Sequence, residues 1–170
     1  FHPQTLSCAI AAARSRKLDH LTLLPSMTLK PWLGRVMIHY FLLVFCRAFR
    51  IWAAQNPRSK AYAGVGEFNM VRLGIYEKFG THQALALEVI DDVELGHKVK
   101  LVGGRSAVMQ AQDFLHVDWM ETPGQVGTIF QKNAFAGAKY RLPLVILGTL
   151  NAFLFELLDC REVCSNFAGN

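Results

Sequence analysis

Cysteine is scarce in this 170-residue chain: four residues, Cys8, Cys46, Cys160 and Cys164, with no C-x-x-C pair among them. Without that pair, or histidines at matching intervals, neither a structural zinc site nor a disulfide scaffold organises the fold, and the cysteines read as free thiols in a reducing compartment. Long apolar runs are missing too. The longest uncharged stretch, 142–155, falls short of the roughly 20 residues that a spanning helix needs. There is no G-x-G-x-x-G, no P-loop, no internal repeat and no low-complexity tract, so no sequence signature of a dinucleotide or P-loop nucleotide site is present. The chain starts at Phe1 without a charged n-region, apolar h-region and cleavage site, so a piece of a longer protein is expected rather than a mature secreted product.

Charge is thin as well. Charged residues make up 18% of the chain against 52% hydrophobic, a shift towards membrane proteins and away from average soluble composition. Lys and Arg outnumber Asp and Glu by 18 to 13, which suits an anionic bilayer face or a phosphate-bearing ligand. A nucleic-acid partner would call for a clustered basic stripe with exposed aromatics, and none is visible.

What is present alternates between helix and strand patterns. The alanine-rich "PQTLSCAIAAARSRKLD" predicts a helix, and "HLTLLPSM" an alternating strand closed by Pro25. Between Pro31 and Pro57 lies an amphipathic helix over about 32–54. Arg35, His39, Arg47 and Arg50 fall on one arc of its wheel, and Met37, Ile38, Phe41, Val44, Phe45, Phe49 and Trp52 over the rest. Two readings follow: a helix lying in a membrane interface with arginines among headgroups, or one packed on a protein core with its arginines in water. Next come a Gly64-Val65-Gly66 turn, an apolar strand and a short helix ending near Gly80, then a helix in "EVIDDVELGHKVK" and a strand in "SAVMQAQDFLHVD". "TPGQVGTIFQKNAFAGAKY" predicts a helix carrying Lys132 and Lys139. The hydrophobic segment 141–159, either a marginal membrane segment or a core helix, precedes a tail at 160–170. Lys139 and Arg141 just ahead of that segment would keep its amino end cytoplasmic. The alternation predicts an α/β architecture with a parallel or mixed sheet.

Within "EVIDDVELGHKVK", Val89, Val93, Leu95, Gly96 and Val99 share one arc of the wheel, and Asp92 falls inside it while Asp91 lies on the polar flank. Asp91, with Glu94 three residues on, fits a helix N-cap with a reciprocal acid. Asp92 fits two roles equally: a carboxylate interacting with the helix dipole, or a general base in a cleft, its pKa raised by desolvation and Gly96 leaving room for a ligand. Gly64 and Gly66 form either a plain turn or a backbone that approaches a ligand closely. His82 is either a ligand contact at a helix start or polar surface. His116 and Asp118, two apart on a strand, offer half of a metal site without a third ligand.

The ordered segments "FHPQTLSCAIAAARSRKLDHLTLLP", "NPRSKAYAGVGEFNMVRLGIYEKFGTHQAL", "EVIDDVELGHKVKLVGGR" and "GQVGTIFQKNAFAG" resemble the second half of membrane-associated family 2 glycosyltransferases, nearest the hopanoid-associated branch. The resemblance implies a partial GT-A fold, with residues 1–140 as the acceptor-side part. It implies a nucleotide-sugar donor, a divalent cation (Mg or Mn), and inverting transfer to a lipid or polyprenol-type acceptor on the cytoplasmic side of a membrane. It maps the family's general base onto Asp92 and a site-orienting acid onto Asp91. The family's D-x-D motif, which holds cation and donor phosphates, would lie just upstream of Phe1. The Q-x-x-R-W motif of processive members is replaced near Gln131, Lys132 and Asn133, where Lys132 is either a phosphate contact or a solvated lysine. A rival from another class is a non-catalytic membrane-surface α/β interaction module, and a third reading is a soluble nucleotide-binding domain.

Overall fold

The computed structural model describes residues 1–28, 32–118, 128, 132, 133, 136, 137, 140–151 and 154. Helix α1 (Thr5–Ser15) leads into β1 (His20–Leu24) and, past Pro25, β2 (Ser26–Thr28). Then follow α2 (Trp32–Phe49), β3 (Asn69–Val71), α3 (Leu73–Lys78), α4 (Asp91–Leu101), β4 (Ser106–Gln110) and β5 (His116–Asp118). The protein is a mixed α/β fold, as the alternation predicted.

β1 is the centre of a three-stranded sheet, paired antiparallel with β3 and parallel with β4. β2 and β5 pair in parallel as a second, smaller sheet. The stretch "SAVMQAQDFLHVD" is therefore two strands, one in each sheet. Between them Ala111 and Leu115 turn inwards, buried with Ala9, Leu21, Leu23 and Ala107 in one core cluster under α1. Leu21 is fully buried, which contributes roughly 1.5–3 kcal/mol.

Both faces of β1 are covered. His20 and Thr22 are as buried as Leu21. His20 pairs with Val71 across the sheet and so shares its face, and Val71 packs on the second cluster of Leu85, Leu95 and Val99 beneath α4. Buried polar groups need partners. The His20 Nε2 lies 3.0 Å from Asn69 Oδ1 and its Nδ1 3.3 Å from Ser106 Oγ, while Thr22 Oγ1 donates to Asn69 Oδ1 at 2.7 Å. Burial holds the imidazole below its usual pKa, against the raising effect of the Asn69 hydrogen bond.

α2 stops earlier than the predicted 32–54 span. Arg50 adopts a left-handed conformation (φ 50°, ψ 49°), and only a 3-10 turn, Ile51–Ala53, continues it. Lys100 ties that end to α4, donating to the carbonyls of Ala54 (2.7 Å) and Asn56 (2.8 Å). Arg35, His39 and Arg50 are exposed as the wheel placed them, and Ile38 is buried. Of the predicted helix around 122–140, only isolated residues are described. In the hydrophobic segment, residues 142–151 are helical, and the rest of it, apart from 141 and 154, and the 160–170 tail lie outside the described residues. No helix among the described residues is long and apolar enough to cross a membrane.

Candidate active site

β1 and β4 run parallel, so their carboxyl ends open on the same side of the sheet, where α/β folds leave a crevice. A cavity of about 540 Å³ lies there, reached by Leu24 and Pro25 at the end of β1, Gln110 and Gln112 at the end of β4, the 64–67 loop and the head of α4. Its remaining wall is greasy: Phe41, Phe45 and Phe49 of α2 face Leu144, Val145 and Gly148 of the helical segment 142–151. The three phenylalanines form a ladder, with centroids 6.1 Å apart for Phe41 and Phe45 and 4.9 Å for Phe45 and Phe49. Tyr40 Oη donates to the Thr149 carbonyl at 3.3 Å, holding the two helices together.

Asp92 is half-buried on this wall, in the first turn of α4, with Val93, Leu95, Gly96 and Val99 buried beneath it. The wheel thus placed Asp92 correctly, although Val89 lies ahead of the helix and is 36% exposed. Its carboxyl is pushed above the usual carboxylate range, first by desolvation and further by the neighbouring Asp91 charge. Hydrogen bonding from the backbone N–H groups of Val93, Gly66 and Asp92 itself pulls the other way. A carboxylate so placed is a stronger base than one in water while keeping donors that orient it.

The space beside Asp92 is set by backbone. An added side chain on Gly64 would overlap the Asp92 carbonyl, and one on Gly96 would overlap the Ala63 carbonyl. Gly96 therefore makes room for the 63–66 loop, not for a ligand as the wheel suggested. The loop occupies that face because no Cβ keeps the two backbones apart. Gly66 is exposed on the cavity rim, its Cα side facing the Asp92 carboxylate.

Asp91 is not the cap. The N-cap is Ile90, which makes no side-chain cap bond; Asp91 is the exposed first residue of the helix. Glu94 bonds forward to His97 Nδ1 at 2.8 Å and not back to the helix start. Together with Asp92 these acids sit in the first turn, where the helix dipole favours negative charge. Asn133 lies on the cavity wall, while Lys132 and His82 are exposed and not among the residues that line it. His82 opens a 3-10 turn and is bonded to the Tyr76 hydroxyl through its ring Nδ1 and, at 3.1 Å, its backbone N–H. His116 Nε2 pairs with Asp118 Oδ1 at 3.5 Å on the exposed side of β5, and among the described residues no group of three His, Cys, Asp or Glu could hold a metal ion. Cys8 and Cys46 are free thiols; Cys160 and Cys164, like Gln131, lie outside the described residues.

Sequence reasoning missed Glu67, Gln110 and Gln112, the polar groups that share the cavity with Asp92. The signal for the glutamines was their place at the carboxyl end of a strand parallel to β1, but that pairing joins residues 86 apart in the chain and has no local trace. No protein-family model matches the chain, and neither does any curated protein or solved structure.

Proposed function

We propose that this chain is the acceptor-side part of an inverting, membrane-associated family 2 glycosyltransferase of GT-A fold, with Asp92 as its general base. The observation that carries the proposal is the placement of Asp92. It is a half-buried carboxyl of raised pKa at the mouth of parallel strands, against a cavity whose other wall is apolar. The likeness of the "IDD" helix, the glycine turn and "FNMVR" to that family adds the reaction. An acceptor hydroxyl donates its proton to the Asp92 carboxylate as its oxygen bonds to the anomeric carbon of the donor sugar. The bond from that carbon to the diphosphate breaks on the opposite face, and the proton remains on Asp92.

Phe41, Phe45, Phe49 and Leu144 suit the hydrocarbon part of a lipid acceptor, while Gln110, Gln112 and Asn133 supply polar contacts near its reacting end. The divalent cation that the resemblance implies would take its main ligands from the D-x-D expected ahead of Phe1, so no step is assigned through it. In this reading Asp91 orients the site and Gly66 supplies a backbone donor. The net charge of +5 and the exposed Trp32, Trp52, Leu147 and Leu150 suit a place at an anionic membrane surface.

Sugar transfer from a nucleotide-sugar donor to a lipid acceptor, measured in the full-length protein for the wild type and Asp92→Asn, tests the assignment. Loss of transfer with fold and membrane binding kept supports it. The coding sequence ahead of Phe1 separates it from a non-catalytic membrane-surface module. A strand ending in D-x-D there fits the enzyme, and an in-frame start codon with no upstream domain fits the module.

A further inference from the structure

The residues just before the glycine loop run alongside α4 in register. Tyr62 stacks on His97 (ring centroids 4.3 Å apart, planes at 21°), the Ala63 carbonyl fills the space over Gly96, Gly64 sits on the Asp92 carbonyl, and Gly66 meets the Asp92 carboxylate. Only the first of these contacts is made by a side chain on each side, so a sequence change can remove it without touching the backbone or Asp92. It is also anchored at both ends. Glu94 holds the His97 ring from one turn earlier at 2.8 Å, and Phe49 packs edge-on against Tyr62 at 5.8 Å, joining the stack to the aromatic wall of the cavity.

We propose that Tyr62 and His97 are positioning residues whose stacked rings hold the 63–66 loop in register on α4 and so keep Gly66 against the Asp92 carboxylate. The role rests on reading Asp92 as the base, but the contact it controls is observable without any turnover. Backbone packing at Gly64 and Gly96 fixes how closely the loop approaches, but brings no side chain of the loop onto a side chain of the helix. The flat Tyr62 ring stacked on the His97 ring supplies that contact. The burial of Tyr62, reinforced by the Glu94 charge, raises its hydroxyl pKa, so the ring stays neutral through the physiological range.

The test is a pH titration followed by NMR on the full chain, reading the Gly66 amide shift together with the Asp92 carboxyl. The titratable neighbours to be followed alongside are Asp91 and Glu94 on α4 and Glu67 on the loop side of the cavity. In the wild type the Gly66 amide moves with the Asp92 midpoint. His97→Ala removes the stack and the Glu94 bond, and the Gly66 response at that midpoint is lost while the dispersed spectrum of a folded chain remains. His97→Phe keeps the stack and restores the response. Should His97→Ala not fold, Tyr62→Leu removes the same stack from the other side and carries the same expectation. A Gly66 amide that still follows Asp92 in His97→Ala or Tyr62→Leu overturns the proposal, as does failure of His97→Phe to restore it. Absence of sugar transfer by the full-length wild type, with the coupling still dependent on the stack, would overturn the enzyme and keep the positioning contact.

Discussion

The carbonyl of Ala63 occupies the space in which a side chain on Gly96 would begin. One glycine on a helix thereby admits a loop from some thirty residues earlier in the chain and fixes where Asp92 lies relative to it. Gly96→Ala forces two backbones apart, and overpacking of this kind costs about 1–3 kcal/mol or more. Gly74, in α3, has nothing within 4 Å of an added Cβ, so Gly74→Ala is expected to gain about 0.5–1 kcal/mol from helix propensity. Thermal unfolding of the two variants should move in opposite directions; equal shifts would contradict the close approach at Gly96.

The raised pKa of Asp92 fixes the sign of a second prediction. A carboxyl whose folded pKa lies above its unfolded value of 3.8 favours folding below that value, and the advantage is lost as pH rises through the folded pKa. Once ionised, Asp92 is a burden on the fold. Asp92→Asn should therefore unfold at higher denaturant concentration than the wild type at pH 7, with the difference shrinking towards pH 3. A variant less stable than wild type at pH 7 would show that the backbone donors outweigh the desolvation.

His20 predicts the opposite limb. Its folded pKa is lowered by burial from 6.5, so the unfolded chain takes up a proton first and stability falls as pH drops below about 6.5. Denaturant midpoints between pH 7.5 and 5 should decline in the wild type and decline less in His20→Gln. Equal slopes in the two proteins would remove His20 from the account.

Much of this was readable in the sequence because it is local. The period of α4 put Asp92 on the covered side, Pro25 ended β1, and Gly80, at φ 96°, closed the short helix before it. What lay over each face was not readable. The wheel showed that Gly96 faces inwards but could not name the loop that covers it, and the greasy side of α2 left a membrane interface and a protein core both open, without showing that Phe41, Phe45 and Phe49 line a cavity. The helix start was misplaced by a residue at Asp91 because Ile90, with no capping side chain, takes the N-cap. Likewise α2 ended early because Arg50 takes a left-handed conformation for which glycine is the usual mark.

Membrane association has its own signature. Trp52 is 61% exposed and Leu147 63%, so each can accept a charge without a cost to the core. The wild type is expected to bind anionic vesicles at low salt, with binding that weakens as salt rises. Trp52→Glu together with Leu147→Glu should abolish that binding and leave the circular dichroism spectrum unchanged. Undiminished vesicle binding by the double variant would place the contact elsewhere.

The central claim is that Asp92 removes the acceptor proton. General-base catalysis typically contributes about 10²- to 10⁴-fold, so single-turnover sugar transfer by Asp92→Asn should fall by that factor. Asp91→Asn, changed at the exposed neighbour, should lose far less. Transfer by Asp92→Asn within a few-fold of the wild type would contradict the account.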